Sequence, residues 1–514
     1  MTIFAHPSAR FHSTQEASPP ACDSAAGDNA PWDVDGDELH EECGIFGVIG
    51  ARSASSMVAL GLHALQHRGQ EAVGITSFSD EEFFQHRGIG HVAHVFNNQD
   101  LFADLPGTMA SGHVRYSTTG GSGLRNIQPL FADLAHGGFS IAHNGNISNA
   151  MTLKRDLVQK GSIFQSTSDT EVIIHLVATS RYPTLLDRFV DALRLIEGAY
   201  SLICMTAEGM IACRDPLGIR PLVMGRIGDA IVFASETVAL DVVGADFERE
   251  IEPGELVQVD HKGIISSHRP FGNHDARPCI FEHVYFSRPD SVMGGRSVYE
   301  ARRSIGQELA KESPADADLV VPVPDSGVPA AIGYAQESGI PFELGIIRSH
   351  YVGRTFIQPG DGKRHADVKR KHNANRALVE GKRIVLIDDS IVRGTTSLKI
   401  VQMMRDAGAA EVHMRIASPP TQHSCFYGVD TPERSKLLAA RMDLEAMADY
   451  IQADSLAFVS IDGLYRAVGH TNRNASCPQF CDACFTGDYP TRLTDLIEAG
   501  KGDMLVKLDA NKDD

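Results

Sequence analysis

The chain predicts two successive domains of different class: a mixed α+β domain of stacked sheets, then an α/β domain with a doubly wound parallel sheet. Three observations predict this. The length, 514 residues, exceeds what one hydrophobic core usually supports. From Cys43 to about residue 262, short β-rich runs are broken by glycine, with helical stretches between them, the spacing of sheets that stack. From Asp318 onward apolar strands alternate with helical stretches, and strand, helix, strand order implies a parallel sheet flanked by helices.

The elements follow in chain order. Residues 1–42 mix Ser, Ala, Pro, Asp and His without period and carry one basic residue, Arg10, against nine acidic ones. Such a segment buries too little apolar surface to offset chain entropy, so it reads as a disordered leader. Its acidity argues against an organellar transit peptide, and no basic stretch precedes an apolar core as in a secretory signal. Strands are expected at Cys43-Gly-Ile-Phe-Gly-Val-Ile-Gly50, Ser140-Ile-Ala-His143, Tyr200-Ser-Leu-Ile-Cys-Met205 and Ala230-Ile-Val-Phe-Ala-Ser235, with helices at 56–66 and 170–179. The second half offers Leu319-Val-Val-Pro-Val323, a helix near 328–336, Arg383-Ile-Val-Leu-Ile387, a helix near 395–406 and Glu411-Val-His-Met-Arg-Ile416. The expected divisions are a propeptide at 1–42, domains at 43–262 and 263–470, and a C-terminal segment at 471–514 ending in a polar tail.

Composition narrows the function. With 43% hydrophobic and 22% charged residues the chain is neither disordered throughout, collagen-like nor a disulfide-dense scaffold. A formal net charge of −19 opposes broad attraction to nucleic acid or an anionic membrane. No run of about 18 apolar residues occurs, and the expected location is the cytoplasm. Nine cysteines, an odd number, do not form a disulfide framework, and a reducing compartment leaves them as thiols or metal ligands.

Cys43 opens a β-run directly after a leader that looks dispensable. Cleavage there frees an α-amine of ordinary pKa about 7.7–8.0, which near neutrality takes the thiol proton without a histidine partner. A lone cysteine is otherwise a small buried hydrophobe. His63 and His67 stand at i and i+4, but Ala64 occupies the place where zinc hydrolases carry glutamate, so that pair reads as a packed or surface helix.

The surroundings of Cys43 are Leu65-Gln-His-Arg-Gly-Gln-Glu71, Gly112-His-Val-Arg-Tyr-Ser-Thr118, Ala142-His-Asn-Gly-Asn146 and Ser166-Thr-Ser-Asp-Thr-Glu171. In these runs and their order the chain resembles the N-terminal-nucleophile (class II) glutamine amidotransferases. The resemblance implies an αββα sandwich in which Cys43 attacks the glutamine amide. Arg115 would grip the α-carboxylate with its planar fork and Asp169 the α-ammonium. Asn144 and the Gly145 amide would form the oxyanion hole.

The stretch Arg383-Ile-Val-Leu-Ile-Asp-Asp-Ser-Ile-Val-Arg-Gly-Thr-Thr-Ser397 ends a buried strand with two carboxylates, where ligands bind in open α/β sheets. The loop Arg393, Gly394, Thr395, Thr396 and Ser397 then leads into a helix, offering amides, hydroxyls and a helix dipole to a terminal phosphate. Asp388 and Asp389 suit ribose hydroxyls or a hydrated divalent cation. This resembles the type I phosphoribosyltransferase signature. It implies Mg2+ near Ser326, Asp388 and Asp389, and a pyrophosphate-binding turn at Pro322-Val-Pro-Asp-Ser-Gly327. A basic lid would run from Arg348 to Lys371, with Arg354 and Lys371 on the ligand. The run Val368-Lys-Arg-Lys-His372 departs at Lys369 and His372 from the Val-Arg-x-Lys-Leu of related sequences.

Cys477-Pro-Gln-Phe-Cys481-Asp-Ala-Cys484 is a compact thiol cluster, with Cys279 and Cys425 standing alone. Spacing leaves zinc and an iron–sulfur cluster both open and favours zinc. Glutaminase and phosphoribosyltransferase in this order resemble the phosphoribosyl pyrophosphate amidotransferase family, from about Glu41 to Pro490. One branch of that family implies a [4Fe-4S] cluster on Cys279, Cys425, Cys481 and Cys484, with Cys477 a spectator. Cys204 and Cys213 lie in apolar runs and read as core, and Cys22 would leave with the leader.

The resemblance implies ammonia transfer from glutamine to C1 of phosphoribosyl pyrophosphate, giving 5-phosphoribosylamine, glutamate and pyrophosphate, the first step of purine synthesis. It also implies feedback by purine nucleotides such as AMP and GMP, and a homotetramer. The rival, a regulatory nucleotide-binding protein with an inert glutaminase, has no use for the complete set Cys43, Arg115, Asn144, Gly145 and Asp169. A glutaminase feeding another phosphoribosyl acceptor reaction is the enzymatic alternative.

Overall fold

The computed structural model describes residues 43–116, 123–348 and 372–500, with the backbone of two short strands at Arg10–Phe11 and His40–Glu41. The rest of the leader, and Arg354, Lys369 and Lys371 of the expected lid, lie outside the described residues.

Gly44–Ile49 is the middle of an eight-stranded sheet, between Met109–Arg115 and Ala230–Ala234, both antiparallel to it. The strand is apolar on both faces because it is covered on both. Ile45 and Ile49 face a second, six-stranded sheet and pack with Ile203, Met205 and Val257. Phe46 and Val48 face the helices Ala54–Ala64 and Thr237–Val243. The second sheet, built around Gly137–Ile147 and Gly198–Thr206, puts Leu202 and Cys204 against the helices Thr170–Thr179 and Leu185–Leu193. Two sheets between two helical layers make the αββα sandwich.

That sandwich runs past the expected boundary at 262. Ile265–His268 pairs with Leu256–Asp260 as the edge strand of the second sheet. Lys262 and Gly263 form the hairpin turn between them, with Gly263 at φ +77°, a conformation glycine adopts without strain. The first helix, expected at 56–66, is Ala54–Ala64 followed by a short turn at Gln66–Arg68.

The second domain carries a four-stranded sheet in the order Leu319–Pro322, Arg383–Asp388, Glu411–Ile416, Ser455–Phe458, all parallel. Along Arg383–Asp388, Val385 and Ile387 face the helices Val298–Glu312 and Val328–Ser338, whereas Ile384 and Leu386 face Thr395–Asp406 and Leu444–Ile451. Helices on both faces leave the C-terminal strand ends, including Asp388, as the open rim.

The C-terminal segment is not a separate layer. Cys481, Phe485 and Leu493 belong to the core of the second domain. Asp495 then reaches the first domain, accepting the Met151 and Thr152 amides at 2.8 and 2.9 Å. Among the described residues no helix is long and apolar enough to cross a membrane.

Candidate functional site

Three strands of the sandwich bring the expected glutaminase residues together. Gly44 pairs with Val114, so Cys43 and Arg115 lie side by side at the same end of the sheet. Cys43 is buried, adopts φ +104°, and its amide donates to the Arg68 carbonyl at 3.0 Å. Asn144 is fully buried on Gly137–Ile147. Ser235 connects these strands: its Oγ accepts the Ile45 amide at 3.0 Å and the Asn144 side-chain amide at 3.4 Å. Gly145 sits at φ +140°, and a Cβ there would stand 2.1 Å from the Ala199 carbonyl oxygen. No other residue fits, which leaves its amide beside Asn144.

Asp169 precedes the helix Thr170–Thr179 and is oriented by the Ile147 amide, which donates to its Oδ2 at 3.0 Å. His143 lies between the two, its Nδ1 3.1 Å from Thr170 Oγ1 and 3.7 Å from Asp169 Oδ2. His113 Nε2 is 3.1 Å from the His143 carbonyl. Burial, then Arg115 and His143, push the His113 imidazole down to about 3, and burial lowers His143 against the pull of Asp169. Both imidazoles are therefore neutral near pH 7.

At the rim of the parallel sheet of the second domain one cavity is lined by Tyr285, Ser326, His372, Asp388, Asp389, Thr396 and Ser397. Asp388 and Asp389 are both buried. Burial raises the Asp389 carboxyl despite hydrogen bonds from Ser326 and Ser390 and the nearby Arg302 guanidinium. Gly394, at φ +81°, starts the helix Thr395–Asp406, and a Cβ on it would strike Leu438 at 2.6 Å. Thr396 and Ser397 thereby present hydroxyls and amides at a helix N-terminus facing the two acids.

A second cavity, in a third region of the molecule, is apolar and lined by Cys279, Cys425, Cys481 and Cys484, with Arg220, Tyr427 and Val429. Cys279 and Cys481 are bridged in parallel by backbone hydrogen bonds. Burial pushes the Cys279 thiol up to about 12 and raises Cys481 and Cys484 well above the usual thiol range. Among the described residues no three His, Cys, Asp or Glu side chains gather closely enough to hold a single metal ion. Cys477 is exposed, its Sγ 3.5 Å from Asp275. Cys204 and Cys213 are buried in the first domain.

The strand Gly137–Ile147 touches this third region. Asn146 Nδ2 donates to the Phe426 carbonyl at 3.0 Å. Gly428, at φ +99°, lies so near Gly145 that a Cβ would stand 2.9 Å from its Cα.

Comparison with known proteins agrees with both halves. Residues 113–242 match the glutamine amidotransferase domain family, and residues 296–418 the phosphoribosyl transferase domain family. An amidophosphoribosyltransferase of Rhizobium etli is 59% identical over 483 residues, spanning 93% of this chain and 97% of its own. The chain belongs to the amidophosphoribosyltransferase family. The amidophosphoribosyltransferase of Bacillus subtilis is 49% identical, spanning 88% of this chain and 95% of its own. A solved structure of glutamine phosphoribosylpyrophosphate amidotransferase from B. subtilis, complexed with ADP and GMP, is similar with a TM-score of 0.83. It is 47% identical and covers 88% of this chain and 98% of that one. As an amidophosphoribosyltransferase the chain is both a glutamine amidotransferase and a pentosyltransferase, with glutamine and phosphoribosyl pyrophosphate as substrates, at the first step of purine biosynthesis.

Several residues at these sites carry no signal that a single sequence exposes. Ser235, Gln128 and Tyr285 stand in ordinary apolar surroundings. Gln128 Oε1 accepts the His143 amide at 2.8 Å, a contact between the bend before Leu130–Leu134 and the strand Gly137–Ile147. His143 sits inside a quoted motif, and its adjacency to Asn144 is the one cue that could have marked it.

Proposed function

We propose that the chain forms 5-phosphoribosylamine, glutamate and pyrophosphate, with Cys43 as nucleophile once residues 1–42 are removed. The observation that carries this is the position of Cys43 beside Arg115 at one end of the sheet, with Ser235 linking its strand to Asn144. Burial leaves the two nearby imidazoles weak bases, with His113 lowered to about 3 and its Nε2 directed at a backbone carbonyl, so the freed α-amine of Cys43 is the stronger base for the thiol proton. Arg115 holds the glutamine α-carboxylate and Asp169 its α-ammonium. Asn144 and the Gly145 amide stabilise the oxyanion as sulfur attacks the amide carbon. Ammonia leaves, water hydrolyses the thioester, and Asn146 and Gly145, resting on Phe426 and Gly428, place the release point against the second domain.

In that domain Thr395, Thr396 and Ser397 hold the 5-phosphate, with Arg393 and Gly394 shaping the loop, and Asp388 and Asp389 take the ribose hydroxyls. Two adjacent carboxylates with Ser326 beside them fit Mg2+, whose charge would offset the buried Asp389 and the pyrophosphate. Four cysteines around one apolar cavity fit a [4Fe-4S] cluster. Buried thiols hold their protons unless a metal displaces them, and a cavity suits a cage of iron and sulfide better than a lone zinc ion. Such a cluster would tie the C-terminal segment to the second domain. Purine nucleotides such as AMP and GMP as inhibitors, a homotetramer and a cytoplasmic location complete the reading.

The test is pyrophosphate release assayed with glutamine and with ammonia alone, on protein whose first residue has been determined by mass. Activity with glutamine in a chain still beginning at Met1 would overturn the role given to Cys43.

A further inference from the structure

Arg220 stands where the two halves meet. Its backbone is held by the buried Asp215 carboxylate, which accepts the Leu217, Ile219 and Arg220 amides at 3.0, 3.1 and 3.2 Å. The Ile219 carbonyl in turn accepts the Cys279 amide at 3.1 Å. The Arg220 side chain is wholly buried, and among the described residues lining the cysteine cavity it alone carries a formal charge.

Arg220 Nη2 lies 3.2 Å from Glu282, and Glu282 lies 2.7 Å from Arg68, which also pairs with Glu236; none of the four side chains is exposed. The four side chains form one chain of ion pairs, with His67 Nε2 also 2.7 Å from Glu236, and its Arg220 end lies on the cavity. At the other end the Arg68 carbonyl receives the Cys43 amide at 3.0 Å.

We propose that Arg220 is a positioning residue for the cysteine cavity, its fixed charge offsetting the net negative charge of a thiolate-held iron–sulfur cluster. Through Glu282 and Arg68 it joins that cluster to the backbone that carries the nucleophile. This rests on the reading of Cys279, Cys425, Cys481 and Cys484 as cluster ligands. A cluster held by four thiolates is an anion, and an anion in an apolar cavity is destabilised unless a buried cation compensates it. The first domain supplies that cation to a cage whose ligands all come from the remainder of the chain.

The test compares the purified holoenzyme with Arg220→Met and Glu282→Gln. Iron and acid-labile sulfide are measured first, then the midpoint potential by reductive titration and the loss of visible absorbance in air. Arg220→Met is expected to shift the potential negative and to bleach several-fold faster, because a nearby cation favours the added electron. Glu282→Gln is expected to shift it positive. Iron-loaded variants with the wild-type potential would overturn the role of Arg220. A purely structural ion pair would lower the melting temperature and leave the potential in place. If Arg220→Met does not accumulate, the Glu282→Gln potential decides alone. Wild-type protein without iron and sulfide would instead overturn the cluster reading itself.

Discussion

At the residue scale the glutaminase site separates binding from chemistry. Cys43→Ala is expected to abolish glutamine-dependent pyrophosphate release while ammonia-dependent release persists, since the second domain keeps its own ligands. Asn144→Ala removes one oxyanion donor, and the glutamine-dependent rate should fall by roughly 10²–10³; a parallel ammonia assay shows whether the loss is confined to the first domain. The buried imidazoles set an acid limit. His113 is held at about 3 in the fold against about 6.5 in the unfolded chain, so acid favours unfolding. Its contribution is complete above about pH 6.5 and lost progressively toward pH 3. The depressed Glu171, at about 2 because bonds from His175, Gln165 and Ser166 outweigh its burial, adds to that loss below its unfolded value. Denaturant midpoints measured across this range should therefore fall with pH.

At the scale of elements, two contacts hold the domains in register. Gly428 is pressed on Gly145 in a left-handed conformation. Gly428→Ala is expected to push the oxyanion strand and to reduce glutamine-dependent turnover more than ammonia-dependent turnover. The helix Ala150–Gln159 shows how tertiary structure replaces a local signal. Its N-cap residue Asn149 makes no cap and instead bonds Leu195 and Glu197, while Asp495 from the far end of the chain accepts the first free amides. Asp495→Ala should cost about 1 kcal/mol in a denaturant melt, the usual worth of a cap. Sequence reading places the helices Thr170–Thr179 and Thr395–Asp406 with their bounds, because apolar period and flanking glycine or acid agree there. It cannot assign Ile265–His268 to the first domain, since a hairpin turn and a linker have the same composition.

Across the whole molecule, the buried quartet Arg68, Glu236, Glu282 and Arg220 joins the halves. Arg68→Met leaves Glu282 with Arg220 and Glu236 with His67 alone, and its stability should drop by about 3–5 kcal/mol, read as a lowered unfolding midpoint against wild type. By itself the sequence determined the two fold classes, the motifs around Cys43 and the acidic pair that place the chain in its family, and the cysteines that stand together, because each is written in contiguous residues whose spacing is local. Tertiary structure alone decided that Ser235 links Cys43's strand to Asn144, that Arg220 faces the four cysteines and that Gly428 touches Gly145. These contacts join residues far apart in the chain, and their free energy arises from burial and charge pairing that exist once the sheets and the second domain have closed around them.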